Sequence, residues 1–201
     1  RIVANDRAEF GSVAQLCLKG SNLGPCWAMR RGIGAIPNHT VAARSPSERL
    51  QGSDLMRVIR GRHNIQKQDH GCVVTIGNFD GVHLGHQAIL RRVHEAARRL
   101  DCPSLLICFE PQPKEFFETF KAPARLTRFR EKVEQLKAAG LDRLLCLPFD
   151  NATRSLSVAE FIAMLTEDLK VRALFVGDDF RFGADRTGDY AALESAGASA
   201  G

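Results

Sequence analysis

Four short apolar runs recur along this chain, and their spacing restricts the fold more than any other feature. CVVTI begins at Cys72, SLLICF at Ser104, RLLCL at Arg143 and ALFVG at Ala173, so strand starts recur every 30 to 39 residues. Each run is short, apolar and bounded by turn-forming residues, as buried strands are. Helical patterns fill the intervals. Over residues 84–100, Ile89, Val93, Ala96 and Leu100 form one stripe, with Arg91, Arg92, Glu95, Arg98 and Arg99 largely off it. TRFREKVEQLKAAG from Thr127 reads as a helix with Thr127 as cap and Gly140 as stop. Ser157 and Glu160 make a capping-box pattern ahead of Phe161, Ile162, Leu165 and Leu169. Strands alternating with helices are βαβ units with right-handed crossovers, so the expected fold is α/β: an open parallel sheet with helices on both faces.

The first 55 residues do not join this pattern. They scatter Gly, Pro, Ser and Arg without a sustained period of 2 or 3.6, and they begin with Arg. A boundary is expected at Met56, where MRVIRG reads as a native start, leaving 1–55 as a disordered or non-native extension. The net charge of +5 is concentrated there: residues 1–55 carry +3 and residues 56–201 only +2. With no basic stripe bearing interleaved aromatics, nucleic acid is not an expected partner. No run of 18 apolar residues and no secretory signal is seen, so no membrane association and a cytoplasmic location are expected. Six cysteines form no CxxC pair, and three fall within strand-like runs, which points to buried reduced thiols.

In open parallel sheets, ligands collect beyond the carboxyl ends of the strands. GNFDGVHLGHQ (residues 77–87) follows the first run, FEPQPKEFF the second and GDDFRFGADRTG the fourth. Glycines 77, 81 and 85 permit tight turns, and a helix starting near Leu84 offers free N–H groups to an anion. His83 and His86, three apart at that start, suit hydrogen bonds to phosphate oxygens and stabilisation of a transferring phosphoryl centre. The other reading of the turn is a structural one with solvated histidines. A metal site is not supported, because no Cys or carboxylate cluster has the required spacing.

GNFDGVHLGH resembles the HxGH signature of nucleotidylyltransferases. Together with FEPQPKEFF, KAPARLTRFREK and GDDFRFGADRTGD, it resembles the adenylyltransferase half of bacterial bifunctional riboflavin kinase/FAD synthetases, from Met56 to about Gly197. The resemblance implies a Rossmann-like HxGH nucleotidylyltransferase fold and transfer of AMP from ATP to FMN, giving FAD and pyrophosphate with Mg²⁺. It implies His83 and His86 as catalytic contacts to the ATP phosphates. Gly77, Asn78, Phe79, Asp80 and Gly85 would shape the nucleotide pocket. Pro111, Pro113 and Phe117 would form an apolar flavin wall, and Asp179, Phe180 and Arg186 would complete the flavin site with Phe182 and Gly183. Without the resemblance, Phe180 and Phe182 read as core and Arg186 as a surface cation. The family's ISSTxIR segment and riboflavin kinase module do not occur within the 201 residues. The expectation is an incomplete FMN adenylyltransferase domain over 56–201, with a catalytically silent flavin or nucleotide binder as the alternative.

Overall fold

The computed structural model describes residues 56–118, 120–177 and 179–199, together with the backbone of a strand at 13–17. Apart from that strand, the expectations for residues 1–55 lie outside the described residues. The strands are β1 (Val13–Cys17), β2 (Arg57–Arg60), β3 (Val73–Ile76), β4 (Ser104–Glu110), β5 (Arg143–Pro148) and β6 (Ala173–Gly177). They form one sheet in the order β1-β6-β3-β4-β5-β2. β2 to β6 are mutually parallel, while β1 runs antiparallel along β6, with Val13 opposite Gly177 and Cys17 opposite Ala173. The sequence pattern had assigned no element to either β1 or β2.

The connections are helical: α1 (Leu84–Arg99), α2 (Pro113–Phe117), α3 (Phe129–Ala138), α4 (Asn151–Arg154) and α5 (Val158–Ala163), with α6 (Tyr190–Ser199) following β6. α5 runs on into a single π-helical turn at Met164–Asp168. Successive strand residues point to opposite faces, so each strand supplies two cores. Val74, Ile76, Leu105, Ile107, Leu145 and Val176 pack beneath Phe161, Met164 and Leu165, with Leu193 of α6 joining them. On the other face, Leu106, Cys108, Leu144 and Cys146 meet Leu90 of α1 and Leu136 of α3. Val73, Ala173 and Phe175 meet Val93, Ala96 and Ala97 of α1. Fully burying each large aliphatic side chain contributes about 1.5–3 kcal/mol. Helices thus cover both faces, as the spacing of the runs predicts.

Cys72, Cys108 and Cys146 are buried free thiols and Cys102 is half-buried. Burial pushes the Cys72 thiol up to about 12. The Ser157–Glu160 box forms reciprocally: Glu160 N–H donates to Ser157 Oγ at 3.2 Å and Ser157 N–H donates to Glu160 Oε2 at 2.8 Å. Gly140 sits just past α3 at φ +82°, a left-handed conformation that suits glycine.

Thr127 corrects one expectation. α3 begins at Phe129 after Arg128, and the Thr127 hydroxyl does not cap it. The hydroxyl instead donates to Asp80 Oδ1 at 2.8 Å and accepts from Gly81 N–H at 3.1 Å. A carboxylate acceptor makes the stronger, charge-assisted bond and takes the proton that a cap would leave for solvent.

The order of the parallel strands decides where ligands gather. From β3 the chain steps outward through β4 to β5, then recrosses the sheet to β6 on the opposite side of β3. This reversal between β3 and β6 is the switch point at which such sheets open a crevice.

Candidate active site

The β3–α1 turn is held in an unusual conformation. Phe79 (φ 48°), Gly81 (φ 77°) and Val82 (φ 36°) all lie in the left-handed region, which a β-branched residue such as Val82 rarely occupies. Two features hold it there. Phe79 and Val82 bury their side chains in the core beside Leu90. The Asp80 carboxylate accepts N–H bonds from Leu126 and Thr127, both at 2.9 Å, besides the Thr127 hydroxyl. Burial works to raise the Asp80 carboxyl. The bonds from Leu126 and Thr127, with the charge of Lys132, outweigh it and hold the group below its ordinary range.

This clamp presents the histidines. α1 begins at Leu84 after His83, and no side chain caps it, so its first N–H groups remain for an outside acceptor. The His83 and His86 rings stack with centroids 3.7 Å apart, and His86 stacks on Phe79 at 4.4 Å, both at 22° between planes. Glycine at 85 leaves room for the His83 ring, to which a Cβ would come within 3.2 Å. His83 is exposed and His86 partly buried. Burial, with the like charge of His83, pushes His86 down to about 4. Its Nδ1 is buried without a partner among the described residues. An uncharged His86 donates one hydrogen bond and accepts through its other ring nitrogen. Asn78 is half-buried in the same turn.

Beyond β4, β5 and β6 lies a second feature, an aromatic cleft of about 490 Å³. Phe109, Phe117 and Phe149 form one wall, with Phe149 edge-on to both partners at 5.7 Å between centroids. Phe180 and Phe182, 5.7 Å apart and near parallel, form the other. α5 supports that second wall by packing Phe161 on Phe182 at 4.8 Å. The Arg154 guanidinium lies over Phe117 at 5.4 Å. Pro113 at the start of α2 lines the cleft, and α2 is tied to the end of β4 by Arg125, which pairs with both Glu110 and Glu115.

Of the expected flavin residues, Pro113, Phe117, Phe180 and Arg186 line this one cleft. Pro111 and Asp179 are exposed and lie outside its lining. Phe182 is core-like at 6% exposure yet still lines the cleft, and Arg186 is exposed at its rim. Phe149 and Arg154 complete the cleft without having been legible in the sequence; a lone Phe after a strand and an Arg in a short helix read as ordinary packing and surface. The histidines do not line the cleft, but stand at the end of β3 between β4 and β6, whose loops build it. Among the described residues, no three His, Cys, Asp or Glu side chains are grouped to hold a metal. No helix of the described residues is long and apolar enough to cross a membrane.

Five parallel strands with a histidine-bearing turn at the switch point define the class, an α/β protein of nucleotidyltransferase-like fold. The FAD synthetase family model matches residues 65–201, and the chain belongs to that family. It is 51% identical over 144 residues to the bifunctional riboflavin kinase/FMN adenylyltransferase of Escherichia coli K12, covering 71% of this chain and 46% of that protein. The Pseudomonas fluorescens protein of the same name is 52% identical over 147 residues, covering 73% and 47%. The chain therefore spans about half the length of these curated relatives. The crystal structure of a macrolide-efflux protein from Streptococcus pneumoniae superposes with a TM-score of 0.58 at 26% identity, over 71% of this chain and 55% of that one.

Proposed function

We propose that this chain carries the FMN adenylyltransferase activity of its family: an FMN phosphate oxygen attacks the α-phosphorus of ATP in line. A new P–O bond forms, the bond to the β-phosphate breaks, and FAD and pyrophosphate leave. The observation that carries this reading is the stacked His83–His86 pair at the uncapped start of α1, at the switch point of the sheet. Helix N–H groups and imidazole donors stabilise charge on a phosphoryl centre by position alone, without a protein nucleophile. His86 is uncharged near neutrality, and an arriving polyphosphate favours its protonated form, strengthening it as a donor. Gly77, Asn78, Phe79, Asp80 and Gly85 form the turn that presents these groups. Mg²⁺ enters as part of the Mg–ATP substrate.

The aromatic cleft is the proposed flavin site. A flat tricyclic ring suits a cleft with aromatic side chains on both walls, and Arg186 at the rim supplies a cation. Pro111 and Asp179, outside that lining, are proposed to meet the flavin from the edges of the cleft. The relatives' names join this activity to a riboflavin kinase; we assign that second activity to a part of the parent protein outside these 201 residues, and place both in the cytoplasm.

Replacing His86 with alanine tests the reading. FAD formed from FMN and Mg–ATP, followed by chromatography, is expected to slow by about 10²–10³-fold, the cost of one such donor elsewhere. FMN affinity, read by flavin fluorescence, is expected to hold. Wild-type turnover in the variant would remove the histidines from the mechanism.

A further inference from the structure

Two charged side chains among the described residues are completely buried, Asp69 and Lys132. Asp69 is answered by Arg57 Nε at 3.0 Å and by Gln66 N–H at 2.9 Å. Lys132 is not: its Nζ is buried and makes no hydrogen bond. An unpaired ammonium in the interior is a costly arrangement that folding alone does not require. Lys132 lies on the inner face of α3, one turn before the fully buried Leu136. A methionine there would fill the same space without a charge.

The surroundings indicate what the ammonium faces. α3 packs on the short turn Asp80–Val82. The charge of Lys132 acts on Asp80 and His86 of the histidine turn, on Glu115 of α2 and on the thiols of Cys108 and Cys146, which face each other across β4 and β5. α3 packs Phe129, Val133 and Leu136 in one cluster with Phe79, Val82, Cys108 and Cys146, which sets the buried Lys132 between that helix and the carboxyl-end half of β4 and β5. Three further buried polar atoms at this end of the sheet lack partners: His86 Nδ1, Glu110 Oε2 and Gln112 Nε2.

We propose that Lys132 is a positioning residue for adenylyl transfer, a buried cation that holds the Asp80 clamp and sets an attractive field for phosphates at the histidine turn. The inference rests on the phosphate-binding reading given above. In a water-poor interior the field of one charge is weakly screened and reaches the turn without direct contact with substrate. Lys132 thus acts through Asp80 and His86, and its cost in stability is tolerated for function.

The test is Lys132→Met in the full 201-residue chain, with three readouts. Thermal unfolding is expected at an unchanged or higher midpoint, since a desolvated charge is removed. The His86 imidazole, followed by NMR without ligand, is expected to titrate at higher pH, because Asp80 then acts on it without the opposing charge of Lys132. ATP affinity is expected to fall by roughly tenfold or more, the scale of one lost charge interaction, while FMN affinity is kept. Unchanged ATP affinity or an unmoved His86 titration would overturn the proposal. If the methionine variant does not fold, Lys132→Gln carries the same expectations, and failure of both to fold would mark Lys132 as structural and end the proposal. A wild-type chain that binds no ATP would overturn the phosphate reading and this proposal together; wild-type binding with unaffected variants would overturn this proposal alone.

Discussion

At the scale of single residues, the site depends on what its groups carry before substrate arrives. Burial and His83 lower His86 to about 4, against an ordinary 6.5. A folded value below the unfolded one means that the unfolded chain takes up the proton first, so stability from this group is present above pH 6.5 and is lost as pH falls toward 4. Asp80, also held below its ordinary value, adds a loss in the same direction at lower pH. In an NMR titration of the free chain, the His86 ring protons are expected to move near pH 4, and near neutrality once inorganic pyrophosphate is added. A free-state midpoint at 6.5 would mean that the ring is solvated and the turn open. The histidine pair was legible because two imidazoles beside glycines at a helix start is a rare combination with a physical purpose. Lys132 was not, because a lysine among Arg130, Glu131 and Glu134 reads as one more surface charge. Only the packing of α3 shows that it points inward.

At the scale of elements, local signals were legible wherever a segment is long or carries its own punctuation. The four apolar runs, α1 and the Ser157 box were of that kind. β2 was not, because four residues reading Arg-Val-Ile-Arg give too short an alternation; its place is set by register against β5 and by the Arg57–Asp69 pair. α2 was hidden by its prolines: Pro111 and Pro113 suggest an extended loop, yet Pro113 stands at the first helical position, where its missing N–H costs nothing. α6 hides for another reason, since its Ala, Ser and Gly residues carry almost no apolar stripe. The Ser157 box has a consequence for function, because it starts α5, and α5 supports Phe182 in the cleft wall. Ser157→Ala is expected to lower stability by about 1 kcal/mol, measured by urea unfolding, and to weaken FMN more than ATP. An equal loss for both ligands would mean that α5 does not support the cleft in particular.

At the scale of the molecule, the sheet has two edges, and they are finished differently. β2 closes one edge in parallel, anchored by the Arg57–Asp69 pair. The other is closed by β1, which runs antiparallel along the whole of β6. An exposed β6 would be an apolar edge, Ala-Leu-Phe-Val-Gly, of the kind that recruits strands from other chains. The sequence showed the core of the sheet but not this cover, because residues 1–55 have no period of their own and β1 acquires its role only by pairing with a strand some 160 residues later in the chain. A chain beginning at Met56 retains all five parallel strands and both helical layers, so its far-UV circular dichroism is expected to change little. Its β6 backbone, however, is left with unpaired N–H and C=O groups, and association that rises with concentration is expected, read by size-exclusion chromatography with light scattering. The 201-residue chain at the same concentrations is expected to stay at its lower mass. If the shortened chain is no more associated, β1 is not needed to cover the edge; if it loses its circular dichroism signal, residues 1–55 are part of the folding unit and the boundary at Met56 falls.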